Sequence, residues 1–359
     1  MIHAMIMAGG GGTRFWPRSR KALPKQFLSV TNGATLLQAA HERLEGLAGT
    51  GNVWIITGDA YRQSTLEQLP GSTLDRIVGE PVGRDTAPCV ALGAALIAEV
   101  DPEGVMVVTP ADHVIEPVRE FVRAVRAAAQ LATDHKDAVV TFGIRPTYPS
   151  TGYGYIQRGK PTEGPLGVKA FEVGGFREKP APDVAERFFN SGEYYWNSGI
   201  FVWRAATILN ALKANKPGIY EGVTKIAKAW NTPDRQKVLE EIFPTLEKIS
   251  IDYAVLEKHP QVLVVEAPFA WDDVGSWLAL ERLNPQDPQG NTVLGNHSGI
   301  ETTNCVIVGE KDRLITTIGV SDLLIIQDRD ATLIARRKDE GTVKQMVDLL
   351  KAQGKEAYL

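Results

Sequence analysis

Along the first 140 residues, short and almost wholly apolar runs alternate with longer stretches whose apolar positions recur every three or four residues. Ile2–Met7, Val53–Thr57, Leu74–Val78, Val105–Thr109 and Ala138–Phe142 have the composition of strands buried on both faces of a parallel sheet. Between them, the helical period predicts helices over Thr35–Leu47, Tyr61–Leu69, Ala87–Val100 and Glu116–Thr133. Such alternation implies an α/β domain with a doubly wound, mostly parallel, Rossmann-like sheet.

The rhythm changes near Tyr153. Strand-like pieces (Tyr153–Gln157, Val168–Phe176, Trp196–Trp203, Gln261–Glu266) are separated by Gly- and Pro-rich turns and by helical stretches over Ala205–Ala229 and Asp234–Ile242. This part reads as an insertion that builds a wall on the same sheet. The polar run Asn284-Pro-Gln-Asp-Pro-Gln-Gly-Asn291 marks a boundary, dividing the chain into 1–286 and 287–359. Beyond it, the β-runs Cys305–Val308, Leu314–Ile318, Leu323–Gln327 and Thr332–Ala335 precede a closing helix, Thr342–Gln353. Their spacing predicts a small all-β, left-handed β-helix-like module, although no strict hexapeptide repeat is visible.

At 359 residues the chain is long for one domain, in keeping with that division. Its 39 basic and 43 acidic residues leave a formal charge of −4, which argues against a general nucleic-acid binder. The nearest thing to a basic run, Arg14–Lys25, is too short to track a nucleic-acid backbone and suits a small anion. The two cysteines, Cys89 and Cys305, lie far apart in apolar surroundings, without zinc-site spacing, and read as buried reduced thiols. No apolar run approaches a membrane span, and the first residues lack a signal peptide's pattern. The expected address is the cytoplasm.

The candidate chemistry starts where the first strand ends, at Met7-Ala-Gly-Gly-Gly-Gly-Thr-Arg-Phe-Trp-Pro-Arg18. Four consecutive glycines, Gly9, Gly10, Gly11 and Gly12, let backbone N–H groups approach phosphate oxygens closely. The spacing is neither the dinucleotide-binding GxGxxG nor a P-loop, since no Gly-Lys-Ser/Thr closes it. Arg14 and Lys25 add cations at two distances from the loop, as a triphosphate and a developing pyrophosphate leaving group require.

Gly9–Gly12, Thr13, Arg14 and Pro24-Lys25-Gln26-Phe27 resemble the signature of sugar-1-phosphate nucleotidyltransferases. The Gln-Phe after the lysine resembles the mannose-1-phosphate guanylyltransferase branch in particular. That resemblance implies transfer of GMP from GTP to mannose 1-phosphate, with Arg14 and Lys25 as the catalytic cations. It also places Glu80, Arg84, Asp85 and Thr86, in the loop Gly79–Pro88, at the nucleotide base. Either Glu80 or Asp85 could pair with guanine, and Asp85-Thr86 could equally cap the helix that follows. Asp112, in Thr109-Pro-Ala-Asp-His-Val114, and Asp273, in Trp271-Asp-Asp-Val-Gly-Ser-Trp277, match the family's metal segments and imply Mg²⁺.

Gly152, Tyr153 and Gly154 resemble the family's sugar-facing loop. Glu178 and Lys179 match its sugar-phosphate segment, and Asn197 its Asn-Ser-Gly turn. Ser250-Ile-Asp-Tyr253 is family-like without an assignable role. The six histidines form no metal cluster of the kind carried by bifunctional relatives with an isomerase half, so guanylyl transfer alone is expected. The expected partners are the two substrates and a second copy of the chain, with neither nucleic acid nor membrane. The competing readings are a relative forming GDP-glucose or GDP-heptose, a catalytically silent nucleotide-sugar sensor, and an NAD-dependent oxidoreductase. The missing GxGxxG disfavours the last.

Overall fold

The computed structural model describes residues 1–31 and 33–359. In chain order its first part contains β1 (Ile2–Ala8), α1 (Leu36–Ala48), β2 (Val53–Gly58), α2 (Arg62–Gln68), β3 (Ile77–Glu80), α3 (Thr86–Val100) and β4 (Val105–Pro110). There follow β5 (Val114–Glu116), α4 (Val118–Asp134), β6 (Val139–Ile144), β7 (Tyr155–Thr162), β8 (Ala170–Arg177), α5 (Pro182–Ser191) and β9 (Tyr194–Arg204). Next come α6 (Ala205–Asn215), α7 (Pro217–Ala229), α8 (Arg235–Ile242), α9 (Ile251–Ala254), β10 (Val262–Glu266), β11 (Ala270–Asp272) and α10 (Ala279–Leu283). The last part holds β12 (Thr292–Leu294), β13 (Asn296–Thr303), β14 (Val306–Val308), β15 (Leu314–Ser321), β16 (Leu323–Asp328), β17 (Ala331–Arg336) and α11 (Val343–Ala352).

The chain folds into two compact units. One comprises residues 1–9, 40–111 and 115–271; the other comprises 10–39, 112–114 and 272–359. The larger unit is built on a nine-stranded sheet in the order β3-β2-β1-β4-β9-β6-β10-β8-β7. β3, β2, β1 and β4 run parallel, as the alternating pattern predicts. β9 enters between β4 and β6, antiparallel to both, so the second half of the sheet is mixed. The insertion therefore supplies a central strand as well as the β7–β8 wall. The core lies under α3, whose residues from Ala87 to Ile97 are all buried. A helix apolar on every side must be covered on every side, and here β1, β2, α6, α7 and α9 do so.

Three local readings are corrected. Leu74–Arg76 forms a 3₁₀ turn, and the strand runs over Ile77–Glu80 instead. The predicted helix Ala205–Ala229 breaks at Lys216, because Pro217 cannot donate to the preceding turn and starts a new helix as its first residue. α5 was not predicted; Pro182 opens it and Gly192, at φ +68°, closes it.

In the smaller unit, β12, β14 and β16 stack in parallel, and so do β13 and β15, giving successive coils of a β-helix. β17 then turns back antiparallel on β16. The core of this unit joins early and late sequence: Phe15, Trp16, Leu28 and Val30 pack with Val274, Trp277, Val306, Leu324, Ile326 and Val343. Among the described residues, no helix is long and apolar enough to cross a membrane.

Candidate active site

Within the smaller unit, the glycine loop runs into a short 3₁₀ turn, Thr13–Phe15. Gly12 sits there at φ +60° with its backbone against Lys25; a Cβ at this position would lie 2.3 Å from the Lys25 Cβ. Only glycine allows both the left-handed backbone and this approach. Ser19 closes the turn by donating to the Gly11 carbonyl at 3.1 Å. Gly10, Gly11, Thr13 and Arg14 are exposed, and Arg14 makes no ion pair among the described residues. That leaves its guanidinium available to a ligand.

Lys25, by contrast, is only 7% exposed. Its ammonium donates to Asp112 Oδ2 at 2.6 Å and to the Asp273 carbonyl at 2.8 Å, and lies 5.6 Å from the centre of the Phe15 ring. One buried cation thus brings together the two aspartates that sequence places far apart. Burial alone would raise the Asp112 carboxyl. The Lys25 ammonium more than offsets this, with His113 also contributing, and Asp112 is held below the ordinary carboxylate range.

The turn carrying Asp273 is fixed by its neighbour. Asp272 accepts from the Val274 amide at 2.8 Å and from Arg282 Nε at 2.6 Å. Val274 is held at φ +48°, and a Cβ on Gly275 would come within 2.9 Å of Asp273 Oδ2. Asp272 therefore shapes the turn while Asp273 occupies it. Asp112 and Asp273 offer the hard oxygen donors that a small divalent cation takes. Among the described residues no cluster of three or more His, Cys, Asp or Glu could hold a metal. Mg²⁺ is usually held by one or two carboxylates completed by phosphate oxygens and water.

Within the larger unit, two groups of predicted residues assemble. The first surrounds the end of β3. Glu80 is 7% exposed, its Oε1 has no partner, and its Oε2 lies 3.3 Å from where a Gly9 Cβ would stand. Burial pushes this carboxyl up to about 7, with the Cys89 thiol opposing through a hydrogen bond. Asp85 has the other job: at φ 65° it caps α3, accepting from the Thr86 amide at 2.7 Å. The Thr86 hydroxyl accepts from the Ile251 amide at 2.8 Å, and Arg84 donates to the Pro244 carbonyl.

The second group surrounds the turn in β9. Asn197 donates to Asp252 Oδ1 at 3.1 Å, and its own amide donates to the Gly154 carbonyl at 2.8 Å. Glu178 pairs with Lys179 at 3.0 Å, and a Cβ on Gly154 would fall 2.5 Å from Glu178 Oε2. The Tyr153 ring meets Trp196 at 4.9 Å and Trp271 at 5.3 Å edge-on. Gly152 remains open to solvent, with its amide donating to Ser150 Oγ at 3.1 Å.

Asp252, in the segment that the sequence singled out without an assignable role, joins this group through Asn197. Burial first, then the Glu178 carboxylate, push it up to about 6. Its sequence signal is that of a helix-start acid behind the Ser250 cap. The segment's second task is to tie this group to the α3 amino terminus, through Ile251 to Thr86 and through the Ala87 amide to the Ile249 carbonyl.

Residues 3–290 match the family model described as nucleotidyl transferase, and residues 295–350 match the MannoseP isomerase/GMP-like beta-helix domain. Fold and site together define a nucleotidyl transferase with a β-helix at its carboxyl end. The mannose-1-phosphate guanylyltransferase of Escherichia coli K12 is 40% identical over 99% of this chain and 75% of its own length. Mannose-1-phosphate guanylyltransferase ManC of Salmonella typhimurium is 39% identical over the same shares. A crystal structure from Thermus thermophilus, described as a mannose-1-phosphate geranyltransferase, superposes with a TM-score of 0.87 at 36% identity over 98% of this chain and 99% of its own. The chain belongs to the mannose-1-phosphate guanylyltransferase family.

Proposed function

We propose that this enzyme transfers GMP from GTP to α-D-mannose 1-phosphate, giving GDP-mannose and pyrophosphate. The observation that carries the reading is the buried Lys25 ammonium joined to Asp112 and to the Asp273 carbonyl beneath the glycine loop. A phosphate oxygen of the sugar phosphate attacks the GTP α-phosphorus in line. The bond from that phosphorus to the bridging oxygen breaks, and pyrophosphate leaves with the electron pair. The protein's part is positioning and charge stabilisation. Loop amides of Gly9–Gly12 and Thr13, with Arg14, bind the triphosphate, and Lys25 meets the charge that grows on the leaving group. Asp112 and Asp273 would hold Mg²⁺, which supplies charge neutralisation at the phosphates.

In the larger unit, Lys179 takes the sugar phosphate, while Glu178, Asn197 and Asp252 accept from or donate to sugar hydroxyls. Gly152 and Gly154 leave room for the ring, and Tyr153 lies against it. The catalytic part is 1–286 and the β module 287–359, a division supported by the extents of the two matched family models. The exposed β-helix face carrying Ile300, Leu314, Ile318 and Ile334 supports a homodimer. A cytoplasmic enzyme, acting where GTP is made, is the reading its two unpaired buried cysteines support. The test is a matrix of nucleoside triphosphates against sugar 1-phosphates, read by pyrophosphate release. GTP with mannose 1-phosphate should give the highest kcat/KM. A preference for another pair, or no release with any, would overturn the assignment.

Of the two carboxylates that could read guanine, Glu80 is the supported one, since Asp85 is committed to its helix cap. An ionised Glu80 accepts from guanine N1–H and N2–H. Its carboxyl lies at about 7, so this interaction is present above that pH and lost as pH falls through it. KM for GTP should therefore rise between pH 8 and pH 6. Glu80→Gln should flatten that dependence and raise KM by roughly 10- to 100-fold, corresponding to the ~1.5–3 kcal/mol of a hydrogen bond to a charged group. An unchanged pH profile in the variant would exclude Glu80 from this role.

A further inference from the structure

β9 carries Asn197, assigned above to the sugar, and its register against β6 is irregular at that point. Phe201 lies opposite Thr141, yet Asn197 lies opposite Gly143. Three residues of β9, Ser198, Gly199 and Ile200, therefore stand against Phe142 alone, a bulge that Gly199 permits at φ +68°. Asn197 sits at its mouth. Its Oδ1 accepts from the Gly199 amide at 3.2 Å, and the Thr141 hydroxyl donates to the Ile200 carbonyl at 3.0 Å. A one-residue slip would turn every side chain of the strand to the other face. Asn197 keeps its aim only where the register on its amino-terminal side is pinned.

Tyr195, two residues before Asn197, is such a pin. Its buried ring crosses β6 at Gly143, where a Cβ would fall 2.6 Å from the Tyr195 Cγ, so only glycine lets the ring pass. On the far side the phenol donates to Glu266 Oε2 at 2.6 Å. Glu266, at the end of β10, is the register partner of Gly143. Asn197, Gly143 and Glu266 thus stand in one row across three strands, and the Tyr195 side chain spans from the first strand to the third. Arg145 at 3.0 Å and Lys169 at 3.3 Å hold the same carboxylate. Burial alone would raise the Glu266 carboxyl; the phenol, Arg145 and Lys169 more than offset this, and it lies below its ordinary range. Burial, then the bond to Glu266, push the phenol up to about 12, so it remains a donor.

We infer that Tyr195 and Glu266 are positioning residues for the sugar site: the bond between them, laid across Gly143, fixes the register of β9 and with it the aim of Asn197. The Asn197 amide in turn holds the Gly154 carbonyl at 2.8 Å, so the same bond steadies the sugar-facing glycine loop. The inference rests on the assignment of Asn197 to the sugar. Its effect is confined to that substrate, because β3, which leads into the base-facing loop, is separated from β9 by β2, β1 and β4.

Steady-state kinetics of the full-length enzyme test this, with each substrate varied at saturating concentrations of the other. Tyr195→Phe keeps the ring and removes the donor. It should raise KM for mannose 1-phosphate roughly 5- to 20-fold, the scale of coupling within one hydrogen-bond network. The kcat and the KM for GTP should stay within about 2-fold of wild type, the pattern of lost substrate binding. Loss of folded enzyme would instead lower kcat and move neither KM. Asn197→Ala should raise the mannose 1-phosphate KM at least as much. Adding Tyr195→Phe to it should cost less than about 2-fold more, since a positioning residue acts only through the group it positions. Three results overturn the inference and leave the sugar-site reading standing: equal rises in both KM values, a Tyr195→Phe effect that adds in full to Asn197→Ala, or no effect of Tyr195→Phe where Asn197→Ala has one. No rise in Asn197→Ala overturns that reading, and the inference falls with it. Should Tyr195→Phe lose its far-ultraviolet circular dichroism, Glu266→Ala, which removes the acceptor instead, is judged by the same criteria.

Discussion

Lys25→Ala should lower kcat by about three orders of magnitude or more, the scale on which cations and donors at a transferring phosphoryl group act. The side chain does three things at once: it pairs with Asp112, holds the Asp273 carbonyl, and packs over Phe15. Lys25→Arg should not restore the activity. The slot around this 7% exposed side chain fits one ammonium, and a guanidinium fork is bulkier and differently directed.

The substitution should also leave a mark on stability whose sign can be worked out. Asp112 has a folded pKa depressed below its unfolded value. Its contribution is therefore present above the unfolded pKa and disappears as pH falls through the folded one. The stability gap between wild type and Lys25→Ala should be widest near neutrality and close under acid conditions. Single-turnover pyrophosphate release gives the first quantity, and denaturant titrations across pH give the second. Turnover within 10-fold of wild type would remove Lys25 from the chemistry.

Deleting residues 287–359 should abolish transfer altogether. The glycine loop and its cations rest on Phe15, Trp16 and Trp277, and the deletion strips from this core Val306, Val308, Leu324, Ile326, Leu333 and Val343. At ~1.5–3 kcal/mol for each buried aliphatic side chain, the loss rivals the whole stability of a domain, about 5–15 kcal/mol. Polar anchors go as well. Trp16 Nε1 donates to the Tyr358 carbonyl at 2.8 Å, Arg18 to the Gly309 carbonyl at 2.8 Å, and Arg20 pairs with Asp330 at 2.5 Å. The checks are pyrophosphate release and tryptophan near-ultraviolet circular dichroism of residues 1–286. A truncated protein with wild-type kcat would show that the loop holds its shape unaided.

The parallel half of the sheet was legible because strands buried on both faces leave near-continuous apolar runs. The antiparallel entry of β9 was not legible, since no local pattern says which neighbours a strand will choose. Arg14, Lys25, Asp112 and Asp273 were legible as motifs, but nothing in their spacing says that Lys25 touches both aspartates. Resemblance paired them; the fold supplied the contact. The proposed preference for Glu80 over Asp85 rests on burial and a cap hydrogen bond, both tertiary facts. Asp252 was left without a role because an acid in the first turn of a short helix has an adequate local reason to be there.

Lys25 and the carbonyl it grips are 248 residues apart in sequence, and Trp16 and its anchor 342. On a ribosome adding ~5–20 residues per second, the lysine waits on the order of ten to fifty seconds for that carbonyl to be made. Its loop waits longer still, until Tyr358 has been added. A nascent chain therefore carries the glycine loop without these partners while the intervening sequence is synthesised, and the last of its anchors is made only after the β-helix.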